Sequence, residues 1–260
     1  MNKGVTWISV LLLISFCLTG CAQVSKIDIS TISEHLFAFP GLTWNATPDE
    51  VRDVLKLKDA QIKLDEQTDI AQDETEPDTW TMLVTGLEFA DRPVHSAKFV
   101  FVRYPGNDFG LSNVTLFFSD ETDMYEIKGE LVRHFGQGKD GFEGYRITEE
   151  GTVEKTTDRQ APKEDEMPCY WYCDAKFADA FPDETKEAIM GRFTGLYPNA
   201  SSQTLAEYLN NMLLASLSVS DYHMQAQLTE YFGQDNPYIT HNHIVFSGDL
   251  FVMWSQQFGK

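Results

Sequence analysis

The sequence predicts an α+β fold in which antiparallel sheets carry short helices packed on one face. Segments rich in aromatic and β-branched residues, such as 97–104 and 114–118, are separated by turn residues and predict hairpins. Two apolar stripes at helical spacing, around Leu131 and around Leu209, predict amphipathic helices. This order favours a helix laid on an antiparallel sheet as the first pair of layers.

The chain begins with a segment typical of a secretory signal peptide. Lys3 supplies a short basic region, and residues 10–16 form an apolar stretch broken only by Ser15. A membrane-spanning helix needs roughly 20 predominantly apolar residues, so this stretch is too short. We therefore predict that residues 1–20 are a signal peptide.

Leu18, Thr19, Gly20 and Cys21 close this segment and resemble the lipobox of bacterial lipoproteins. The resemblance implies cleavage between Gly20 and Cys21 and attachment of a diacylglycerol to the Cys21 thiol. It predicts a protein held on the extracytoplasmic face of the cell membrane by palmitate-type acyl chains on Cys21. Ala22, which follows the cysteine, permits sorting to the outer membrane where a cell has two membranes.

The chain is strongly acidic, and removal of the signal makes it more so. Residues 1–20 contain Lys3 and no acid, so 19 basic residues would face 40 acidic ones, a formal charge of −21. Such a charge opposes nucleic acid and anionic lipid headgroups, and leaves cationic partners open. We expect no nucleic-acid partner, and membrane contact through the lipid on Cys21.

Changes in composition suggest how the mature chain is organised. Residues 21–36 contain few large apolar side chains and are expected to form a flexible tether, with a reach of about 20 Å as a coil. An N-terminal α+β unit is expected over 37–158 and a C-terminal one over 167–260, two similar helix-plus-sheet halves. The charged residues 149–168 are either a linker between them or a long loop within one domain.

The first helix has the clearest start signal of the mature chain. Thr47 suits the N-cap, Pro48 the first helical position, and Glu50 completes a capping box, so a helix is predicted to about residue 58. This start, followed by hairpins, is similar to the helix-then-sheet units of small lipoproteins of the SmpA/OmlA (BamE-like) group. The similarity covers about residues 42–136. This chain departs from that group in its long acidic connection and its greater length. No partner-binding residue is carried over from that group.

Local signals predict the remaining elements of the first unit. Residues 65–78 hold seven acids among fourteen residues and read as a solvated loop, with a calcium site as the sharper alternative. Strands are expected over 80–85, 97–104 and 114–118. A helix with an apolar stripe should follow, with Asp123 and Glu126 as its capping box and Gly136 as its end: Met124, Ile127, Leu131 and Phe135.

The second unit is expected to begin with an aromatic strand over 169–177, followed by a helix opened by Pro182, Asp183 and Glu184. A second apolar stripe predicts another helix capped by Ser201 or Ser202: Leu205, Tyr208, Leu209, Met212 and Leu213. The chain should end in a hairpin of residues 239–246 and 250–254.

Cys169 and Cys173 are the two cysteines left after Cys17 leaves with the signal and Cys21 carries lipid. On one strand they would lie about 13 Å apart, beyond the reach of a disulfide. Two cysteines alone also fall short of a metal site. Small buried side chains are therefore expected, with a disulfide as the alternative if the segment turns.

His241 and His243 form a His-x-His pair, which can begin a metal site. A third ligand would have to come from Asp221, His223 or Asp249 through folding. The alternative is two half-exposed strand histidines with no metal. No cofactor is predicted.

Three classes of function remain open, because the sequence contains no Gly-x-Ser-x-Gly, Ser-x-x-Lys, His-Glu-x-x-His or glycine-rich phosphate motif. The favoured class is a noncatalytic interaction module of the cell envelope with a protein partner. The second is a substrate- or glycan-binding lipoprotein whose cleft is lined by some of its tryptophans: Trp44, Trp80, Trp171 and Trp254. The third is a metal- or carboxylate-dependent hydrolase.

Overall fold

The computed structural model describes residues 25–68, 77–221 and 242–259. Within these ranges the strands are β1 (Ser25–Ile27), β2 (Ile62–Thr68), β3 (Asp78–Val84), β4 (Leu87–Phe89), β5 (Arg92–Val94), β6 (Ser96–Arg103), β7 (Gly110–Phe118), β8 (Tyr145–Ile147), β9 (Val153–Lys155), β10 (Cys169–Tyr172), β11 (Ser216–Ser220) and β12 (Asn242–Ser247). The helices are α1 (Pro48–Leu55), α2 (Met124–Phe135), α3 (Phe177–Ala180), α4 (Asp183–Leu196), α5 (Ser202–Asn210) and α6 (Asp249–Phe258). The predicted α+β class is confirmed.

The central sheet has seven antiparallel strands in the order β10-β11-β12-β7-β6-β3-β2. β12 from the second predicted unit pairs along its whole length with β7 from the first, from Asn242 opposite Phe118 to Ser247 opposite Asn113. Buried residues of both units also belong to one hydrophobic core. The two predicted halves therefore share a sheet and a core.

The tether was predicted over residues 21–36, but the folded structure already begins at Ser25. β1 pairs in parallel with β4, and Ile27 and Ile32 are buried in the core. The backbone carbonyl of Leu36 accepts a hydrogen bond of 2.8 Å from the indole of Trp44. The prediction of a flexible segment is wrong from Ser25 onward, because isolated isoleucines supply the apolar area that fixes it.

Helix α1 confirms the predicted capping box. The Thr47 hydroxyl accepts from the Glu50 backbone N–H at 3.3 Å, and the Glu50 carboxylate accepts from the Thr47 N–H at 2.7 Å. The helix ends at Leu55, earlier than predicted, because Lys56 adopts the left-handed conformation. For α2, Asp123 caps the start as predicted, but the Glu126 carboxylate binds Arg92 at 2.7 Å.

The predicted acidic loop is shorter than expected. β2 continues to Thr68 and β3 begins at Asp78, while residues 69–76 lie outside the described ranges. Pairing with β3 places Asp65 beside Arg52 and Trp80, so this acid is part of a folded strand with partners. The predicted hairpin of β6 and β7 is confirmed.

The charged segment 149–168 folds onto the domain. It contributes β9, which pairs with β8, and a loop held by the buried Lys128 of α2. The Lys128 ammonium donates to the backbone carbonyls of Lys163, Glu164 and Glu166 at 2.7, 3.2 and 2.7 Å. These carbonyls occupy all three donors of a lysine ammonium, which explains how the charge is buried without an acid.

The chain ends in a helix, so the predicted terminal hairpin is wrong. β12 already has β11 on one side and β7 on the other, which leaves it no edge for a further strand. α6 instead buries Val252 and Trp254, and its Gln256 side chain accepts from the Tyr104 backbone N–H at 3.0 Å. The predicted helices α4 and α5 are confirmed, with Ser201 as the N-cap of α5. α5 ends at Asn210, however, so Met212 and Leu213 of the predicted stripe lie after the helix.

Candidate functional site

The predicted histidine pair is described only in part. His241 and the candidate ligand His223 lie outside the described residues, as does Cys21. His243 lies on β12 with 8 % of its surface exposed, and its ring centroid is 6.4 Å from that of Phe117. The alternative expectation of a half-exposed side chain is therefore wrong for His243.

The other candidate metal ligands have different partners. Asp221 is buried and accepts a hydrogen bond of 2.9 Å from the Tyr125 hydroxyl. Asp249 accepts from the Ser247 hydroxyl at 3.0 Å. Within the described ranges, no group of three or more His, Cys, Asp or Glu side chains could hold a metal ion.

Cys169 and Cys173 are buried and are not bridged. Burial raises the pKa of the Cys169 thiol to about 11, although nearby Lys128 acts in the opposite sense. Burial also raises the pKa of Cys173. Protonated thiols are poor nucleophiles, and the expectation of small buried side chains is confirmed.

The tryptophans do not line an exposed cleft. Trp44, Trp171 and Trp254 are at most 5 % exposed. Trp80 is half-buried, and its indole N–H donates to the Asp65 carboxylate at 2.6 Å. Their role within the described fold is packing, which removes the feature expected of a glycan-binding protein.

The two faces of the central sheet differ sharply in burial. One face is closed, and a row of directly paired residues across it is almost fully buried: Trp171, Leu217, Phe246, Val114, Phe99 and Met82. The opposite face is partly exposed along two further rows, which together we call the open face: Tyr170, Ser218, Val245, Thr115 and Lys98 in one, and Tyr172, Ser247, Asn113, Val100 and Thr81 in the other. Each row is interrupted by one buried residue, Leu83 on β3 in the first and Ser216 on β11 in the second.

The open face carries little charge. Lys98 is the one charged residue in these two rows between β10 and β3, although the chain has 40 acids; the next residue of the second row, Glu66 on the edge strand β2, is an exposed acid. At the β10 edge, the exposed ring of Phe142 lies 4.4 Å from Tyr170 and 5.8 Å from Tyr172, measured between centroids. Depletion of charge and enrichment of tyrosine and phenylalanine are typical of the centre of a protein–protein interface.

A cleft of about 90 Å³ lies at the end of β10, beside the open face. Tyr172 has its ring on the open face and also lines this cleft, with Glu143, Lys176 and Met212. At about 10–15 Å³ for each water-sized group, the cleft holds roughly six to nine such groups. Pockets for drug-sized ligands begin at about 300 Å³, so a glycan exceeds this space.

Tyr172, which lines the cleft, carries a hydroxyl whose oxygen is closed to solvent. It is buried and has no hydrogen-bond partner among the described residues. Burial raises its pKa, and the nearby Glu143 carboxylate adds to the effect, so the hydroxyl stays protonated and can donate. The Glu143 carboxylate itself already accepts from Tyr145 at 3.2 Å and pairs with Lys155 at 3.4 Å.

We expect Tyr172→Phe to leave the free energy of unfolding unchanged or to raise it by up to about 1 kcal/mol. Removing a buried hydroxyl without a partner loses no hydrogen bond and avoids its desolvation cost. Urea unfolding of the variant beside the parent protein would measure the difference. A loss of more than about 1 kcal/mol would mean that the hydroxyl has a partner in the folded protein.

Sequence reasoning missed both the open face and the cleft. Phenylalanine occupies every second position in Lys98–Phe99–Val100–Phe101–Val102. Such an alternation is the sequence signal for a sheet with one open face. No comparable signal identified Tyr172, because its burial depends on Glu143 and on the segment after α5, both remote in sequence.

No helix in the described part of the chain has the length and apolar character needed to cross a membrane. Comparisons with protein-family models, with curated proteins and with solved structures give no match for this chain, so its function has to be argued from its own residues.

Proposed function

We propose that this chain is a lipid-anchored extracytoplasmic protein that acts as a noncatalytic interaction module of the bacterial cell envelope. Two sequence features support the anchor: the signal segment 1–20 and the lipobox-like residues ending at Cys21. The open face supports the interaction, because a partly exposed sheet surface whose middle strands carry one charge is suited to packing against another protein.

The open face is the observation that carries the proposal. Its two rows together cross six strands, from Tyr170 and Tyr172 on β10 to Thr81 on β3, so the surface is broad. Most of its side chains are serine, threonine, valine or asparagine. The aromatic group at its edge, with Phe142 44 % exposed, offers an anchor of the kind that dominates binding energy in interfaces.

The partner is a protein with a basic surface around its contact. The mature chain would carry a formal charge of −21, from 19 basic and 40 acidic residues. Two copies of this chain would repel each other at long range, whereas a basic protein would be attracted and oriented. Lys98 within the open face is compatible with a partner whose basic residues lie at the rim of the contact.

A photo-crosslinking residue in place of Asn113 tests the proposal in the full-length protein in its own envelope. We expect one predominant crosslinked protein with a net positive charge. Thr115→Arg should reduce that crosslink about tenfold or more, because a bulky cation is placed at the centre of the open face. Quantitative mass spectrometry of the crosslinked product gives the measurement.

Leu196→Arg is the matched control. Leu196 lies at the end of α4 and is 56 % exposed, so the same new side chain is added away from the open face. Its crosslink should equal that of the parent. Equal crosslinking by Thr115→Arg, an acidic product, or no protein product at all would overturn the proposal.

A further inference from the structure

We propose that the connection between α1 and β2, from Lys56 to Lys63, faces the bilayer and contacts anionic lipid headgroups through its three lysines. We call these residues the lysine segment. The inference rests on the proposed lipid anchor at Cys21. It adds a contact between the folded body and the membrane, which would fix how the anchored protein is oriented.

The lysine segment is basic within a strongly acidic chain. Residues 56–63 contain three lysines and one acid, a net charge of +2, whereas the whole chain has 20 basic and 40 acidic residues. Lys56, Lys58 and Lys63 are all exposed. In the part of the chain that the structure describes, none of the three pairs with an acid, and Lys63 donates to the Ala60 carbonyl at 2.7 Å. Their charges therefore remain available to an anionic partner.

The chain enters the fold beside this segment. The Ser25 hydroxyl donates to the Leu55 carbonyl at 2.9 Å, one residue before Lys56. The Ser25 backbone N–H donates to the Gly86 carbonyl at 3.2 Å, and Gly86 packs against the Gln61 side chain inside the segment. These two hydrogen bonds place the start of the fold directly against the lysine segment.

The short connection to the lipid keeps this part of the protein near the headgroups. The steps from Cys21 to Ser25 reach at most about 14 Å when fully extended. Attraction between a basic residue and an anionic bilayer acts within a screening length of about 8–10 Å. When the lysine segment points at the bilayer, its side chains are the first to meet the headgroups, and the acidic remainder of the body is turned away.

Several acids beside the segment are already matched by cations of the protein. Lys26, which follows Ser25, pairs with Asp91 and lies 3.9 Å from Glu88. Arg52 of α1 pairs with Asp65 of β2 at 2.5 Å. These pairs lessen the repulsion that the acids would exert on the headgroups.

The full-length lipidated protein, reconstituted into vesicles, allows a direct test. A fluorophore on Ala60→Cys, at an exposed position of the lysine segment, reports its proximity to headgroups through quenching by a spin-labelled lipid. Cys169 and Cys173 are buried and do not compete for the label. Ala188→Cys is the matched control, because Ala188 is exposed on α4, a helix that packs against α5 and α6 through Phe193.

We expect the label at position 60 to be quenched at least about twofold more than the label at position 188, in vesicles with about one third phosphatidylglycerol. Vesicles of phosphatidylcholine alone should reduce the quenching at position 60 at least about twofold, because they carry no net charge. Raising the ionic strength to about 1 M should do the same, because the screening length falls to about 3 Å.

Charge substitutions separate headgroup contact from the proximity that the anchor alone imposes. Replacing Lys56, Lys58 and Lys63 together by glutamine should reduce the quenching at position 60 in anionic vesicles at least about twofold. A second triple variant changes the total charge equally and should leave the quenching unchanged: Lys155→Gln, Lys163→Gln and Lys186→Gln.

Two kinds of failure can be told apart. Equal quenching at the two positions, or the same quenching at position 60 with and without phosphatidylglycerol, would overturn the inference while the protein still floats with the vesicles. A protein that does not float with either kind of vesicle would lack the anchor, which would overturn both the inference and the proposed attachment through Cys21.

Discussion

Replacing Phe246 by alanine should lower the free energy of unfolding by about 3–5 kcal/mol. Phe246 lies on β12 at the centre of the closed face and has no exposed surface. Its ring centroid is 5.4 Å from that of Phe39 and 6.4 Å from that of Phe89, both in edge-to-face geometry. The substitution removes burial and leaves a cavity that rigid neighbouring strands cannot close.

The same variant tests whether the chain folds as one unit. Phe39 and Phe89 belong to the first predicted half and Phe246 to the second. The substitution should therefore lower the stability of both halves. Urea unfolding followed by tryptophan fluorescence and by far-ultraviolet circular dichroism should give one shared transition at a lower midpoint.

Phe142→Ala is a suitable control because it also truncates a phenylalanine, at a position that is 44 % exposed. Its effect should be below about 1.5 kcal/mol, the range of an aromatic pair. Two separate transitions in Phe246→Ala, with only the later one shifted, would contradict a shared core.

The elements that were predicted correctly from the sequence depend on contacts between residues close together in the chain. The capping box of Thr47 and Glu50 and the cap at Asp123 depend on neighbours three residues away, and both formed as expected. The terminal helix could not be predicted in this way. Residues 250–254 were predicted as a strand from their apolar run, whereas the helix observed there depends on β12 being enclosed by β7 and β11.

The candidate site depends on long-range pairing, which explains why it was missed. The open face exists because Val100 and Thr115 lie on adjacent strands, and because Val245 and Tyr170 arrive from the far end of the chain. A one-residue shift in any register would place the other set of side chains on this face. Composition alone showed an acidic chain, and gave no indication that the middle strands β11, β12, β7 and β6 carry no acid on this face.

The folded body also begins closer to the lipid than composition suggests. β1 starts at Ser25, so only residues 22–24 separate the proposed lipidated cysteine from a paired strand. The four residue-to-residue steps from Cys21 to Ser25 reach at most about 14 Å when fully extended. Charge repulsion is screened over about 8–10 Å at physiological ionic strength. Repulsion from an anionic bilayer therefore favours the extended form of this short connection, in which the acidic body lies beyond the screening length.

Cys21→Ser should abolish lipid labelling and leave the signal segment attached. The thiol sulfur is the atom that would be alkylated by the diacylglycerol, and a serine hydroxyl is a far weaker nucleophile because it is hardly ionised at neutral pH. Metabolic labelling with a palmitate analogue measures the lipid, and intact mass shows whether residues 1–20 remain.

Cys17→Ser makes the matched control, since Cys17 lies within the signal segment and precedes the lipobox-like residues. It should be labelled and cleaved as the parent is. Labelling that survives in Cys21→Ser would place the lipid elsewhere and remove the anchor from the proposal. The open face would then have to find its partner by diffusion, without the high local concentration that a membrane anchor provides.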